Sequence, residues 1–531
     1  MKNIHAKFTF GLALFILLLI ACQNSDNKKK QAGDKDRWLE EMTIPKLQFG
    51  YREGQFSVAD VVSAYIDRIM EIDMNGPALN SVLVINPDAM EIAEELDKEM
   101  AEGKKAGPLF GVPVILKDNI DTHDRMTTTA GATVLKNSFA PADSYVAAKL
   151  REAGAVIIAK SNLSEWANFR AKVSSSGWSG VGGQTLNPYV LDRNPCGSSS
   201  GSGVAVSANL CMAAIGTETN GSIVCPSNNN GIVGIKPTVG LISRSGIVPI
   251  SYTQDTPGPM CRTVTDAAIM LGALTGIDPN DGKTKQSEGK ALKDYSKYLN
   301  ADGLSGKKIG VIKNLMGFSD KVDTLMRRAI ADMESKGAVV IEVDAPESSG
   351  YEKASMEVML YEFKDGLKRY FAGLGEKAPV KNIKELIEFN RRDSVELKYF
   401  DQKILIDADK KGDLASPGYK KALEQMLLAT RKNGIDKIMK DNKLDALIAP
   451  TGSPAWKTDL LNGDHYVGGS SSLAAISGYP AITVPMGFIG EMPVGITFFG
   501  RAWSEPLLIE IAYGYEQMTL HRKPPRYLVT D

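Results

Sequence analysis

Two Gly/Ser-rich turns carry the residues of this chain that could do chemistry. Residues 196–203 read C-G-S-S-S-G-S-G, and residues 216–226 read G-T-E-T-N-G-S-I-V-C-P. Glycines permit tight turns, and clustered serines place hydroxyls beside backbone N–H groups that can converge on one point. Gly/Ser runs are often flexible linkers, but the segment between the turns has apolar residues that need a core: Val204, Val206, Leu210, Met212 and Ile215. The pattern therefore indicates a site with serine nucleophiles on a buried frame.

One interpretation of the first turn is a nucleophile elbow. Residues 197–201 fit G-x-S-x-G, which would make Ser199 the nucleophile of a Ser-His-Asp hydrolase. An elbow must follow a buried strand, whereas residues 187–195, N-P-Y-V-L-D-R-N-P, are typical of a loop. Outside the N-terminal leader the chain has three histidines, none flanked by a catalytic pattern: His123, His465 and His521. The sequence disfavours this interpretation.

Three segments together resemble the amidase signature family. Residues 197–201 match its Gly/Ser-rich segment, residues 216–223 its nucleophile loop, and residues 111–119, G-V-P-V-I-L-K-D-N, its lysine segment. They occur in the order of the family, and the likeness covers most of the chain. The segments S-N-L-S-E-W-A-N-F-R and Q-D-T-P-G-P-M, with V-C-P after the nucleophile loop, are most similar to bacterial peptide amidases. Val224 stands where many members of the family have Arg, which also favours that branch.

The resemblance implies a Ser-Ser-Lys triad that needs no histidine, metal or cofactor. Ser222 would be the nucleophile, Lys117 the base, and Ser198, preceded by a cis peptide bond, the bridge between them. The oxyanion hole would be made of the backbone N–H groups of Thr219, Asn220, Gly221 and Ser222. Such a mechanism requires a neutral lysine, and burial lowers the pKa of a lysine because it disfavours the charged form.

Spacing alone leaves alternatives open at several positions. Lys160 and Lys236 follow apolar runs as Lys117 does, and Ser199 or Ser200 could take the place of Ser198. Other residues could either help to form the site or serve only the structure: Asp118, Trp166, Phe169, Thr217 and Glu218.

The elements that must position these residues alternate between strand and helix. Apolar runs typical of strands occupy residues 112–116, 156–159, 309–312, 339–343, 446–450, 481–485 and 495–499. Helical patterns occupy residues 57–73, 143–154, 321–336 and 505–518, with a charged helical region at about 350–440. This alternation predicts an α/β fold with a parallel component. The resemblance adds a single large domain, residues 37–531, with a mixed β-sheet covered by helices.

The N-terminus has the composition of a targeting segment. Lys2 and Lys7 precede an apolar run from Phe8 to Ile20, and Leu19-Ile20-Ala21-Cys22 resembles a bacterial lipobox. We therefore expect a signal peptide over residues 1–22, lipidation of Cys22 and a polar tether over residues 23–36. This interpretation predicts an exported lipoprotein, periplasmic or on the cell surface of a bacterial envelope, held to the membrane by its lipid.

Net charge and cysteine spacing limit what else the chain could bind. The formal net charge of −1 gives no electrostatic footprint for nucleic acid. Besides Cys22, four cysteines lie among small apolar residues without metal-type spacing: Cys196, Cys211, Cys225 and Cys261. They are more typical of buried free thiols than of a zinc site, although an exported protein could also form a disulfide.

The sequence thus predicts an amidohydrolase that cleaves small carboxamides, including C-terminal amides of peptides, to carboxylate and ammonia through an acyl-enzyme. Two alternatives remain. An A-type amidotransferase subunit would pass ammonia to a partner, and a binding protein on the same scaffold would not turn substrate over.

Overall fold

The computed structural model describes residues 37–104 and 107–530, in two units. One unit ends at Met42, and its described part holds the 3₁₀ turn Arg37–Leu39. The other begins at Thr43 and holds every element described below. The predicted leader, its lipidation site Cys22 and the tether over residues 23–36 lie outside the described residues.

Most strands of the described residues join one mixed sheet. The strands, numbered in chain order, are β1 (Val82–Ile85), β2 (Pro113–Lys117), β3 (Val156–Ser161), β4 (Trp178–Ser179), β5 (Gly183–Gln184), β6 (Ala213–Glu218), β7 (Val233–Lys236), β8 (Thr256–Cys261), β9 (Lys308–Ile312), β10 (Val339–Val343), β11 (Ala446–Pro450), β12 (Ala481–Ile489) and β13 (Met492–Phe499). Eleven of them form a sheet in the order β1-β3-β2-β6-β8-β7-β12-β13-β11-β9-β10, while β4 and β5 pair with each other.

The sheet has two parallel regions connected by antiparallel strands. β2 runs parallel to β3 on one side and to β6 on the other, and β9 runs parallel to β10 and β11. The pairs between them, from β6–β8 to β11–β13, are antiparallel. All residues of β2, β3 and β6 are buried, as expected for strands covered on both faces. The predicted α/β fold with a mixed sheet is confirmed.

Helices surround this sheet. The α-helices are Ile44–Arg52, Val58–Arg68, Ala89–Ala101, Tyr145–Glu152, Ser200–Ser207, Val224–Asn229, Val264–Leu274, Asp320–Ser335, Ser348–Gly373, Ile383–Asn390, Lys403–Asp409, Pro417–Leu427, Asp436–Asn442, Ser471–Ser477 and Glu505–Thr519. π-Helical segments extend two of them, Ile69–Asn75 and Leu428–Ile435. The 3₁₀ turns of this unit are Thr133–Leu135, Glu165–Asn168, Gly282–Ser287, Ser296–Tyr298, Lys313–Leu315 and Gly375–Lys377. No helix of the described ranges is both long and apolar enough to cross a membrane.

The charged helical region packs against the segment that follows β3. Helix Ser348–Gly373 buries Phe363, whose ring meets that of Phe169 edge to face at 5.0 Å between centroids. Trp166 and Phe371 make a similar contact at 6.4 Å. Trp166 and Phe169 therefore pack in a hydrophobic core shared with the helical region, and Phe169 also lines a cavity described below.

Two local predictions need correction. The helix predicted from residue 143 begins at Tyr145, and the residue at its cap is Ser144, whose hydroxyl accepts the backbone N–H of Ala147. Lys117 does not follow its strand but ends it, because β2 continues one residue beyond the apolar run.

Candidate active site

Lys117 lies at the end of β2, completely buried. Its Nζ lies 2.8 Å from Ser198 Oγ and 2.9 Å from Thr217 Oγ1, and it donates to the Thr217 carbonyl at 3.3 Å. Thr217 belongs to β6, the parallel neighbour of β2, so the register of the sheet sets this contact. Asn119 Nδ2 donates to the same Thr217 hydroxyl at 3.0 Å, which fixes the hydroxyl beside the lysine.

Burial lowers the pKa of Lys117 to about 7, although the nearby carboxylates of Asp255 and Glu218 act in the opposite direction. A buried ammonium loses its hydration, so the neutral amine is favoured. Near neutral pH a large fraction of this lysine is therefore able to accept a proton.

The loop that carries Ser198 is fixed by its backbone. The Gly197–Ser198 peptide bond is cis, as the family resemblance implies. The Ser198 carbonyl accepts the N–H of Ser164 at 3.1 Å, and the Ser199 N–H donates to the Ser222 carbonyl at 3.2 Å. Ser199 Oγ donates to the Thr217 carbonyl and accepts the Thr217 N–H, at 3.1 and 3.2 Å. Ser199 is thus used in joining the loop to β6, whereas Ser198 faces the lysine.

The loop that carries Ser222 leaves a row of backbone donors open. Glu218 Oε2 accepts the N–H groups of Ile223 and Val224 at 2.8 and 3.0 Å, which curves the chain around residues 219–222. Gly221 makes this possible with φ of 85°, a left-handed conformation that favours glycine. Within residues 37–104 and 107–530, the N–H groups of residues 219–222 donate to no protein acceptor. Such a row suits a developing oxyanion.

Ser222 opens onto a cavity of about 440 Å³, which we name the cleft. Gly197, Thr219 and Asn220 line it together with Ser222. The structure has no hydrogen bond between Ser198 Oγ and Ser222 Oγ, so it brings Lys117 and Ser198 into contact but leaves the second step of a relay open. Catalytic hydrogen bonds are often long without substrate and shorten when it binds.

Asp255 is a neighbour of the site that the sequence analysis did not single out. Its carboxylate accepts the Thr219 hydroxyl at 2.7 Å and the N–H groups of Ile250 and Ser251, both at 2.8 Å. Burial raises the pKa of Asp255 to about 6. Its only signal in the sequence was its place in Q-D-T-P-G-P-M. The contact with Thr219 anchors the first residue of the open donor row.

A disulfide joins the two turns. Cys196, next to Gly197, is bonded to Cys225, three residues after Ser222, with a Cα–Cα distance of 5.9 Å. Cys211 and Cys261 are buried free thiols. The expectation of free thiols is therefore wrong for Cys196 and Cys225, because the fold lays the two turns against each other. Among the residues that the structure describes, no cluster of His, Cys, Asp or Glu could hold a metal ion.

The lysines and histidines that the sequence left as alternatives make contacts elsewhere. Lys160 Nζ donates to the Ile120 carbonyl at 2.7 Å, and Lys236 Nζ to the Pro237 carbonyl at 3.1 Å. The three histidines in the part of the chain that the structure describes contact neither turn: His123 pairs with Ala140, His465 with Asp459, and His521 lies beside Tyr515. No strand directly precedes residues 197–201, since β5 ends at Gln184, so the elbow geometry is absent there.

Known proteins resemble this chain over most of its length. A sequence model of the family described as Amidase matches residues 60–509. The probable amidase of Arabidopsis thaliana is 40% identical over 501 residues, 92% of this chain and 92% of that protein. A protein of Arthroderma benhamiae named as an amidase is 37% identical over 512 residues, 90% of this chain and 82% of its own. Among solved structures, the native peptide amidase of Stenotrophomonas maltophilia is 46% identical with a TM-score of 0.88, covering 92% of this chain and 99% of that one.

These comparisons contradict the predicted localisation. The leader pattern led us to expect an exported lipoprotein of a bacterial envelope, but the relatives that match 90% or more of the chain include plant and fungal amidases. The prediction is wrong because it rested on a short apolar run and four residues ending in Cys22, a pattern too small to be specific.

The disulfide can be checked by counting thiols. After denaturation without reductant, we expect an alkylating reagent to modify Cys211 and Cys261 and to leave Cys196 and Cys225 unmodified. After reduction all four should react. Mass spectrometry of the digested protein measures the modified sites, and modification of Cys196 before reduction would contradict the disulfide.

Proposed function

The chain belongs to the amidase signature family and is an amidase, and from this premise we propose that it hydrolyses small carboxamides, above all C-terminal amides of peptides, to carboxylate and ammonia. The substrate class is supported by the likeness to a peptide amidase structure over 92% of the chain. The observation that carries the proposal is the buried Lys117 Nζ, 2.8 Å from Ser198 Oγ, behind the cleft on which Ser222 opens.

In the proposed mechanism the three residues move protons in sequence. Ser222 Oγ attacks the carbonyl carbon of the amide while its proton passes to Ser198, whose own proton passes to neutral Lys117. The carbonyl π electrons move to oxygen, and the oxyanion is bound by the N–H groups of Thr219, Asn220, Gly221 and Ser222. These roles agree with the open donors, although the Ser198–Ser222 contact has to shorten.

The second half of the proposed reaction returns the protons. The charged lysine gives its proton back through Ser198 to the amide nitrogen, the C–N bond breaks, and ammonia leaves an acyl-Ser222 ester. Water then attacks this ester by the same relay, forming the carboxylate and restoring the Ser222 hydroxyl. No cofactor is required by any of these steps.

We also assign the catalytic domain to residues 37–531, with the helical region of about 350–440 as part of it. Met356 and Met359 of this region line the cleft. Helix Ser348–Gly373 therefore contributes to substrate binding in this proposal. The amidotransferase alternative would need a partner subunit to receive ammonia, so an assay of the isolated chain separates it from hydrolysis.

The nucleophile can be tested with Ser222→Ala. We expect the purified protein to release ammonia from C-terminal peptide amides, and Ser222→Ala to lose nearly all of this activity and its labelling by a fluorophosphonate. The matched variant Ser199→Ala, which keeps the Ser222 hydroxyl, should still be labelled at residue 222. Ammonia release and mapping of the labelled peptide measure both results, and a label on Ser199 of the unaltered protein would contradict the assignment.

The base can be tested by its pH dependence. Because the neutral form of Lys117 is the active one, kcat/KM should fall about tenfold per pH unit below about pH 7, where the amine takes up a proton. Lys117→Met should lower kcat/KM by several orders of magnitude.

A matched control is Lys236→Met, which removes another buried amine whose pKa burial lowers, to about 8. This variant should keep the acid limb of the pH profile near pH 7. Loss of that limb in Lys236→Met, or near-normal activity of Lys117→Met, would show that another group is the base.

A further inference from the structure

The peptide bond between Thr219 and Asn220 lies within the open donor row, and its orientation can be traced to its neighbours. It is trans, since the cis bond among the described residues is Gly197–Ser198. A trans peptide group is planar, and its C=O and N–H bonds point in opposite directions. Whatever holds the Thr219 carbonyl therefore also sets the direction of the Asn220 N–H, one of the donors proposed for the oxyanion hole.

Side chains hold both ends of this peptide group. The Thr219 hydroxyl donates to Asp255 Oδ1 at 2.7 Å. Ser471 Oγ donates to Asn220 Oδ1, also at 2.7 Å. These contacts place the two residues, but the plane between them can still rotate, because φ and ψ on either side of a peptide group are soft dihedrals. A further contact is needed to fix the plane itself.

Gln254 supplies that contact. Its Nε2 donates to the Thr219 carbonyl at 3.2 Å. Within residues 37–104 and 107–530, this carbonyl accepts no other donor. Gln254 is completely buried, so its amide has no bulk water to bind instead. The Gln254 side chain therefore determines where the Thr219 carbonyl points and, through the planar peptide group, where the Asn220 N–H points.

The amide of Gln254 is itself oriented. Ser355 Oγ donates to Gln254 Oε1 at 2.6 Å. The Thr219 carbonyl can only accept a hydrogen bond, so the nitrogen of the amide must face it and the oxygen must face Ser355. Ser355 is buried on helix Ser348–Gly373, beside Met356, which lines the cleft. The helical region thus supports the donor row through Gln254.

The direction of a single donor matters for the proposed chemistry. Hydrogen bonds weaken steeply as the donor turns away from the acceptor. Donors that are already aligned need no reorganisation when negative charge develops, and loss of one such donor typically costs about 100- to 1000-fold in rate. A donor that remains but is misdirected loses part of this effect.

We propose that Gln254 is a positioning residue of the reaction, which directs the Asn220 N–H at the oxyanion by holding the Thr219 carbonyl. The proposal rests on the proposed function. Gln254 does not line the cleft, so it acts through Thr219 rather than on the substrate. Gln254 and Asp255, which begin the segment Q-D-T-P-G-P-M, then hold the carbonyl and the hydroxyl of the same threonine.

Gln254→Met tests this role, with Gln402→Met as a matched control. Gln402 is also buried, its Nε2 donates to the Ile387 carbonyl at 3.2 Å, and its Oε1 accepts Asn390 Nδ2 at 3.1 Å. For a C-terminal peptide amide, we expect kcat of Gln254→Met to fall about 10- to 100-fold with little change in KM, as for an interaction made only in the transition state. Gln402→Met should keep kcat near that of the unaltered protein.

A peptide aldehyde separates positioning from a general loss of structure. Its carbonyl carbon bonds to Ser222 Oγ, the Ser222 proton passes through Ser198 to Lys117, and the carbonyl π electrons move to oxygen in the oxyanion position. The Ki of the aldehyde should rise in Gln254→Met by the same factor by which kcat/KM falls. The Ki of the corresponding peptide alcohol, which forms no such bond, should stay unchanged.

Ser355→Ala is a milder variant for the case that Gln254→Met does not fold by circular dichroism. It keeps the Gln254 donor but removes the hydroxyl that orients the amide. We expect kcat to fall about 5-fold, as for the loss of one hydrogen bond, and the Ki of the aldehyde to rise by the same factor while that of the alcohol stays unchanged.

Two results would overturn the inference while leaving the proposed function in place. One is an equal kcat of Gln254→Met and Gln402→Met, and the other is an equal change in the Ki of aldehyde and alcohol. If instead the unaltered protein releases no ammonia from peptide amides and a fluorophosphonate does not label Ser222, the proposed function fails, and the inference fails with it.

Discussion

A buried lysine whose pKa is lowered to about 7, in contact with a serine hydroxyl, is the interaction on which the proposed active site depends. An exposed lysine would be charged near neutral pH and could not accept a proton. The fold lowers the pKa of Lys117 by placing this residue between β3 and β6, in a sheet covered on both faces. Ser198 and Thr217 then surround Nζ, so the amine has partners without needing a carboxylate in contact.

The remaining parts of the site are arranged around that amine. The loop at Gly197 places Ser198 over it, and the loop after β6 places Ser222 at the cleft with its backbone donors free. A single covalent link, Cys196–Cys225, holds the two loops together. Met356 and Met359 of helix Ser348–Gly373 also line the cleft. The sheet therefore carries the proposed chemistry, and the helical region contributes part of the lining of the cleft.

The sequence predicted the local motifs better than their surroundings. Lys117, Ser198 and Ser222 could be singled out because their neighbours form short, specific patterns, and the parallel strands other than β6 because they are apolar runs. β8 was missed because Pro257 and Pro259 are unusual in a central strand. The neighbouring strand β7 pairs with β8 only at Met260 and Cys261. The two prolines therefore lie outside the region in which β7 and β8 pair.

Other features left no local trace in the sequence. The disulfide depends on how two turns pack together, and Asp255 reaches Thr219 only through the fold. A leader of common composition, in contrast, gave a specific but wrong localisation.

Burial of ionisable groups near the site also shapes the stability of the whole chain. Asp118 and Asp255 keep their protons to about pH 6 in the folded state, against 3.8 ordinarily. Between these values the folded state binds more protons, and their contribution to stability falls as pH rises. Lys117 and Lys236 lose their protons at about 7 and 8 instead of 10.5, so above pH 7 their contribution rises with pH. The contribution of these four groups to the free energy of unfolding is therefore smallest between pH 6 and 7. This range adjoins the pH at which Lys117 becomes able to act as a base.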